Sequence, residues 1–175
     1  MPEKKKRGAK EIIGEEKKGD GGVNIEFVPC HKDRDFFLCL AKDYVDELGR
    51  YSDEIEWDES SWNKAMWDSD FIVDGGVLCG FVCKNEVFFK DKRNLLYIKE
   101  FFVSEEERHR GVGIEAVREL VGPWDGDVCL YILDKNEVAK AFWNAVEKEL
   151  DWKRTERPGM KELNGCELRI YKVKK

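Results

Sequence analysis

Two arginines and two glycines lie within six residues, at the start of a helix-like segment. They are Arg108, Arg110, Gly111 and Gly113, and the segment RGVGIEAVRELVG then has the apolar spacing of a helix that ends at Gly122. The first amides of a helix lack intrahelical partners and lie at the positive end of its dipole, and glycine leaves room for ligand oxygens. The pattern therefore predicts a loop that binds a diphosphate.

One interpretation of this loop is a dinucleotide-binding turn, because GVGIEA fits the GxGxxG/A fingerprint. In that fold the glycine turn follows its strand directly and usually comes first in the chain. Here a polar loop of seven residues, 104–110, follows the strand, and four predicted strands precede the turn. This order disfavours dinucleotide binding.

The spacing Arg108-x-x-Gly111-x-Gly113 resembles the R/Q-x-x-G-x-G/A signature of the GNAT superfamily of acyl-CoA N-acyltransferases. Phe101-x-Val103 is similar to the strand before that signature. The segment NEVAKAFW, from Asn136 to Trp143, resembles the downstream N-x-x-A-x-x-F-Y helix. The resemblance covers about residues 23–174, and LLYIKEFFV is also similar to a strand of the polyamine (spermidine/spermine) acetyltransferases.

The resemblance implies acetyl-CoA as co-substrate, lying where the strand at 101–103 and the strand at 127–134 splay apart. The amides of residues 109–114 would hold the pyrophosphate, and the strand backbone would pair with the pantetheine arm. The residues that it assigns to coenzyme A are Phe101, Phe102, Val103, Arg108, His109, Arg110, Gly111, Val112, Gly113, Ile114, Asn136, Phe142 and Trp143.

Direct attack by an amine needs a base for the ammonium proton and an acid for the leaving thiolate. The family's usual acid is a Tyr, and this chain has Trp143 there, whose indole N–H is not a useful acid. Glu100 is the candidate base, although it could also be an ion-paired strand carboxylate. Tyr131 is the candidate acid, with Tyr97 as an alternative. The thiolate could also leave unassisted, with water as the acid.

The acceptor side is expected near residues 52–70, which contain seven acids and one lysine. Carboxylates beside aromatic rings suit a cationic amine. The residues assigned to the acceptor are Asp53, Glu54, Glu56, Trp57 and Lys99, of which Lys99 stands where the polyamine enzymes have Glu. The alternative is an amphipathic helix with core tryptophans and solvated acids.

The elements that must position these residues alternate between strand and helix patterns. The hydrophobic periodicity predicts the order β-α-α-β-β-β-α-β-α-β-β, which is a mixed α/β domain. This is also the order of the GNAT fold. We expect residues 1–22 to be a disordered charged tail and residues 23–175 to be one GNAT N-acetyltransferase domain.

Composition excludes several classes of protein. The net charge of -6 argues against a nucleic-acid partner, and no apolar run approaches the roughly 18 residues that span a membrane. We therefore expect a cytoplasmic protein. The six cysteines form no CxxC pair, which favours free thiols over a zinc site at Cys79, Cys83 and His31. No metal is expected, and a homodimer is an expectation from the superfamily.

The sequence thus predicts an acetyltransferase (EC 2.3.1.-) that moves an acetyl group from acetyl-CoA to a small-molecule or peptide primary amine, which we expect to be cationic. One alternative is a catalytically silent acyl-CoA-binding or regulatory domain, which Trp143 and Lys99 favour. The other is an interaction module whose tail and acidic loop bind a partner.

Overall fold

The computed structural model describes residues 22–88, 94–161 and 163–173. The predicted disordered tail lies outside the described residues except for Gly22. The helices and strands are β1 (Ile25–Pro29), α1 (Arg34–Leu48), α2 (Glu59–Ala65), β2 (Ser69–Asp74), β3 (Val77–Val87), β4 (Asn94–Val103), α3 (Val112–Val121), β5 (Gly126–Leu133), α4 (Glu137–Glu149), β6 (Lys153–Arg154) and β7 (Cys166–Lys172). This order confirms the predicted one.

One mixed sheet of seven strands runs in the order β1-β2-β3-β4-β5-β7-β6. Neighbouring strands are antiparallel except for β4 and β5, which are parallel and are connected through α3. The last strand pair is shorter than the pattern suggested, because β6 has only two residues, Lys153–Arg154. Pro158, in the connection that follows, has no N–H for the ladder, which limits the length of β6.

The helices cover both faces of the sheet. On one face, α1 and α2 pack on an aromatic cluster that includes Phe37, Phe71, Phe81 and Phe102. On the other face, α3 and α4 bury Val117, Trp143 and Val146 against the middle strands. The predicted active-site strand β4 therefore lies between two cores and supplies side chains to each.

The helix starts follow local capping chemistry. The Asp33 side chain accepts a hydrogen bond from the Phe36 amide at 3.0 Å and begins α1. The Asn136 side chain accepts one from the Ala139 amide at 2.9 Å and begins α4. Helix α3 differs, because it starts at Gly111 with a left-handed backbone.

Candidate active site

A wedge opens between β4 and β5 toward the carboxyl ends of both strands. Residues 94–97 pair with residues 126–129, and no further pairing joins these two strands in the described chain. β4 continues to Val103 along β3, and β5 continues to Leu133 along β7. The strands therefore part as the family resemblance implied, and one edge of β4 borders the wedge.

A β-bulge at Lys99 lies where the wedge begins. Lys99 has no partner on β3, because the residues on either side of it pair with successive residues of that strand. Beyond the bulge, Glu100 and Phe102 face α1, whereas Phe101 packs against α4. Bulges re-aim side chains, and this one directs the Glu100 carboxylate to the face that α1 and α2 cover.

The backbone of Phe101 and Val103 faces the wedge. In an antiparallel ladder, successive residues point their N–H and C=O groups alternately toward and away from the partner strand. The Phe102 carbonyl lies against Gly80 of β3, and the Val103 carbonyl instead accepts a hydrogen bond from Arg108 Nε at 2.8 Å. An extended ligand in the wedge would therefore meet backbone groups of Phe101 and Val103, and Phe102 contributes a buried side chain.

The loop before α3 directs several backbone amides to one side. His109 and Gly111 have left-handed φ angles of 62° and 84°, and mixing right- and left-handed residues makes a concave, anion-binding run of N–H groups. Within the described residues, no side chain caps the start of α3. The amides of Val112, Gly113 and Ile114 therefore keep the free N–H groups of a first helical turn.

Gly113 is required for packing as well as for ligand approach. A Cβ at this position would lie 2.8 Å from Cε2 of Phe142 and 3.7 Å from Cγ2 of Val103. Real Cβ atoms do not come this close to a ring carbon. The sequence analysis explained this glycine by the approach of a ligand alone. The structure adds a second reason, which is the close approach of α3 to α4.

The two arginines of the loop are both held in ion pairs. Arg108 contacts Glu47 of α1 at 2.6 Å, and its guanidinium lies 5.8 Å from the Phe102 ring centroid. Arg110 pairs with Glu107 and lies 3.7 Å from Asp74. Acidic side chains thus largely compensate the positive charges of these two arginines. The loop amides are the main source of positive potential for a bound anion.

Glu100 is held beside the wedge by a hydrogen bond from α1. Tyr44 donates its hydroxyl to Glu100 Oε2 at 2.8 Å. Burial raises the pKa of Glu100 above its usual value, and the opposing effects of the Tyr44 hydrogen bond and of Lys99 are smaller. A raised carboxyl pKa suits a base that must accept a proton near neutral pH.

Tyr131 lies on the same face of the sheet as Glu100, one strand away. Its ring makes an edge contact with Tyr97 of β4, with the centroids 5.9 Å apart. Its hydroxyl donates to the Lys161 carbonyl at 3.0 Å. Burial raises the pKa of Tyr131 and raises that of Tyr97 to about 12, so both phenols hold their protons at neutral pH.

The aromatic pair of α4 lies on the opposite face. Phe142 stacks on Phe101 with the ring centroids 5.5 Å apart. Trp143 is only 5% exposed and belongs to the core between the sheet, α3 and α4. Its ring centroid lies 5.7 Å from that of Phe101, so Trp143 packs against β4 on the face opposite Glu100.

The acidic loop between α1 and α2 reaches the far side of the wedge. Asp53, Glu54 and Glu56 are exposed. The charge of Glu54 is among the causes that raise the pKa of Cys166, after burial and Asp134, so this loop lies close to the start of β7. Cys166 pairs with the last residue of β5, which places Glu54 near the end of that strand.

The tryptophans that the sequence grouped with these acids occupy different environments. Trp57 is half-buried and stacks on Trp62, with the centroids 6.3 Å apart. Trp62 packs on the aromatic core of α1. Trp67 is 69% exposed and stacks on His31 instead. Trp57 packs against the same core, but it is itself a residue of the acidic loop and is half-buried, so it remains a candidate acceptor contact.

A model of the acetyltransferase (GNAT) family matches residues 31–145, which is more than half of the chain. The chain belongs to the GNAT acetyltransferase family. A search of the curated proteins finds no significant match.

Solved GNAT structures share the fold. An acetyltransferase from Streptococcus agalactiae is 15% identical, with a TM-score of 0.64 and coverage of 88% of this chain and 96% of that one. One from Bacillus cereus is 15% identical, with a TM-score of 0.55 and coverage of 86% and 95%. NAA60 from Arabidopsis thaliana, in complex with a bisubstrate analogue, is 18% identical, with a TM-score of 0.51 and coverage of 85% and 96%.

Membership in the GNAT family makes acetyl-CoA the co-substrate, as the sequence predicted. Two features of the structure fit this molecule. The free amides that begin α3 suit its pyrophosphate, and the unpaired edge of β4 suits its pantetheine arm. The side chains of Phe102, Val112 and Trp143 are in the core, so only their backbone or edges remain for a ligand.

We expect Trp143→Phe to keep most of the turnover. The indole packs in the core and its N–H is not acidic, so the change removes packing and no proton donor. The free energy of unfolding should fall by about 1–2 kcal/mol, while kcat changes by less than about tenfold. A loss of kcat of about a hundredfold or more, with coenzyme A affinity intact in calorimetry, would show that the indole takes part in the reaction.

The GNAT resemblance did not reveal Tyr44 and Glu47, which hold Glu100 and Arg108. The signal that could have found them is their spacing of three residues on a predicted helix, which places both on one helix face. In the described residues, no group of three or more His, Cys, Asp or Glu side chains is arranged to hold a metal ion. None of the described helices has the length and apolarity needed to cross a membrane.

Proposed function

We propose that this GNAT protein is an N-acetyltransferase that transfers the acetyl group of acetyl-CoA directly to a cationic primary amine. Glu100 serves as the base. The observation that carries the proposal is a partly buried carboxylate beside the wedge, on the strand whose free edge would hold the pantetheine arm. The bulge at Lys99 supports this role, because it turns the Glu100 side chain toward α1, next to the backbone of Phe101 that faces the wedge.

The reaction follows from these positions. Glu100 takes a proton from the ammonium group, directly or through water, and the neutral amine then attacks the thioester carbonyl carbon. The backbone N–H of Phe101 faces the wedge and stabilises the negative oxygen of the tetrahedral intermediate. That intermediate collapses, the C–S bond breaks, and coenzyme A leaves as a thiolate. The nitrogen, which became positively charged on attack, gives its second proton to water, so that the neutral amide is released.

Tyr131 is the proposed proton donor to the thiolate. It shares a face with Glu100 and stays protonated at neutral pH, because burial raises its pKa. Its hydroxyl bond to the Lys161 carbonyl would have to break for this role. Tyr97 is the neighbouring alternative. A thiol with an ordinary pKa near 8.5 is also a tolerable leaving group without an acid.

The acidic loop favours a positively charged acceptor. Asp53, Glu54 and Glu56 are solvent-exposed, Glu54 lies near the end of β5, and Trp57 lies on the same loop. Lys99 adds a positive charge next to Glu100, which would disfavour a second ammonium group close to the thioester. NAA60, which shares the fold, is in complex with a bisubstrate analogue, and peptide N-termini are included among the amines to test.

We expect the triple change Asp53→Asn, Glu54→Gln, Glu56→Gln to raise KM for a cationic amine by roughly three- to tenfold. KM for acetyl-CoA should stay nearly constant. The salt dependence of kcat/KM should become flatter, because screening acts on the charges that were removed. Steady-state kinetics at several ionic strengths measures all three quantities.

A matched control removes three acids elsewhere. Glu119, Asp125 and Glu149 are exposed on or near α3 and α4, and their amide variants change the net charge by the same amount. This control should leave KM for the amine unchanged. If the loop variant folds and keeps the wild-type KM and salt slope, the acidic loop is a solvated surface without a role in acceptor binding.

The proposal is tested by coenzyme A release from acetyl-CoA over a panel of polyamines, amino acids, aminoglycosides and peptides with free N-termini. Release with one amine class, and its loss in Glu100→Gln, would support the function. Tight binding of acetyl-CoA without turnover of any amine would instead favour the catalytically silent acyl-CoA-binding domain. The absence of any coenzyme A binding would favour an interaction module.

A further inference from the structure

Tyr44 presents a single polar group at the end of a tightly surrounded ring. The ring centroids of Trp62, Phe81 and Phe102 lie 6.1, 5.7 and 5.5 Å from that of Tyr44. Packing of this kind leaves the ring few alternative rotamers. The hydroxyl, whose oxygen lies 2.8 Å from Glu100 Oε2, is therefore held in one place relative to the wedge.

The direction of the proton in this hydrogen bond is fixed. Burial raises the pKa of Tyr44 well above that of an ordinary tyrosine, and the nearby Glu100 charge raises it further. Tyr44 therefore stays protonated and acts only as a donor. A donor stabilises the charged carboxylate, so this bond lowers the pKa of Glu100 against the larger effect of burial.

Helix α1 is also connected to β4 through Arg108, one turn further along the helix. Glu47 lies three residues after Tyr44, on the same side of the helix. It pairs with Arg108 at 2.6 Å, and Arg108 donates to the Val103 carbonyl at 2.8 Å. One helix face thus contacts β4 at the candidate base and at the start of the pyrophosphate loop.

We propose that Tyr44 is a positioning residue, whose hydroxyl fixes the direction of the Glu100 carboxylate, so that α1 holds the base in register with the acyl-CoA loop. This inference rests on the proposed role of Glu100 as the base. It adds a function for α1 beyond covering the sheet and holding Arg108 through Glu47.

The test compares Tyr44→Phe with the wild-type protein across pH, with an amine that the panel identifies. We expect kcat to fall by about tenfold, since a hydrogen bond to a charged group is lost, and KM for acetyl-CoA to stay the same. The acidic limb of kcat/KM should move to higher pH, because removing the donor raises the pKa of Glu100. The groups that face Glu100 and its partner are Lys99, Tyr97, Cys83 and Glu47, and none of them changes.

The matched control is Tyr171→Phe. Tyr171 is also buried and also donates to a glutamate, Glu147, at 2.8 Å, but on the opposite face of the sheet. It should lower stability without moving the acidic limb. A second variant carries site-specific 3-fluorotyrosine at position 44, which is a stronger hydrogen-bond donor of nearly the same shape. It should move the acidic limb of kcat/KM to lower pH, and it leaves no cavity in the core.

A double-mutant cycle separates this inference from the proposed function. In the Glu100→Gln background, Tyr44→Phe should cause no further loss of kcat. If Glu100→Gln alone retains activity, the proposed base is wrong. If Glu100→Gln is inactive but the limb stays in place in both position-44 variants, or Tyr171→Phe shifts it equally, Glu100 remains the base and Tyr44 is only a packing residue.

Discussion

Replacing Glu100 with Gln should lower kcat by about 10²- to 10³-fold, which is the usual contribution of a positioned general base. Gln keeps the shape of the side chain and an oxygen for the Tyr44 hydroxyl, but it cannot accept the ammonium proton. The acidic limb of kcat/KM should also disappear. Burial raises the pKa of Glu100, so the wild-type base is lost as the pH falls through that value and is present above it.

The control for this variant is Glu147→Gln, which also removes the charge from a tyrosine-bonded glutamate. Glu147 lies in the ion-pair network of β7, and its Oε1 is 3.0 Å from Arg169. Any loss of activity should follow its loss of stability in thermal unfolding. If Glu100→Gln retains more than about a tenth of the wild-type kcat, water or another group takes the proton and the assignment of Glu100 is wrong.

Gly113→Asp should weaken coenzyme A binding by well over tenfold. The new side chain places a negative charge on the first turn of α3, where the free amides would hold the pyrophosphate. Its Cβ would also press on Phe142, since the two atoms would be 2.8 Å apart. Isothermal titration calorimetry with coenzyme A measures the combined loss.

Gly113→Asn separates charge from packing, because Asn has nearly the same shape as Asp and no charge. We expect Asn to bind coenzyme A at least about tenfold more tightly than Asp does. An acid in the first turn of a helix is favourable to the helix itself, so Asp should not be the less stable of the two. Equal affinities for the two variants would place the phosphates away from this turn.

Local signals in the sequence were sufficient for the order of the elements. The alternation in the strands and the apolar spacing in the helices each depend on neighbouring residues, and the structure has the elements that they predict. The loop at Gly111 was also predictable, because its left-handed backbone has a strong preference for glycine.

The contacts that define the site depend on residues far apart in the chain. Tyr44 and Glu100 are 56 positions apart, and Glu47 and Arg108 are 61 apart. The family resemblance assigned Arg108 to coenzyme A, but α1 brings Glu47 to it and compensates its charge. The bulge at Lys99 was likewise invisible in the sequence, because it depends on the register of β4 against β3.

The short pairing of β4 with β5 also has a consequence for cooperativity. Strands β1–β4 form one continuous antiparallel block and β5–β7 another, and the direct ladder between the blocks covers only residues 94–97 and 126–129. A ligand that lies in the wedge as an additional strand would join the two blocks by backbone hydrogen bonds. Such a ligand adds about 2.7 kcal/mol to folding at a hundred times its Kd. Without it, the blocks are coupled by the short ladder and by the core under α3 and α4, which contains Ile98 of β4 and Leu130 of β5. We therefore expect the wedge end of β5 to open more often in local fluctuations when the wedge is empty, and an occupied wedge to make unfolding more cooperative.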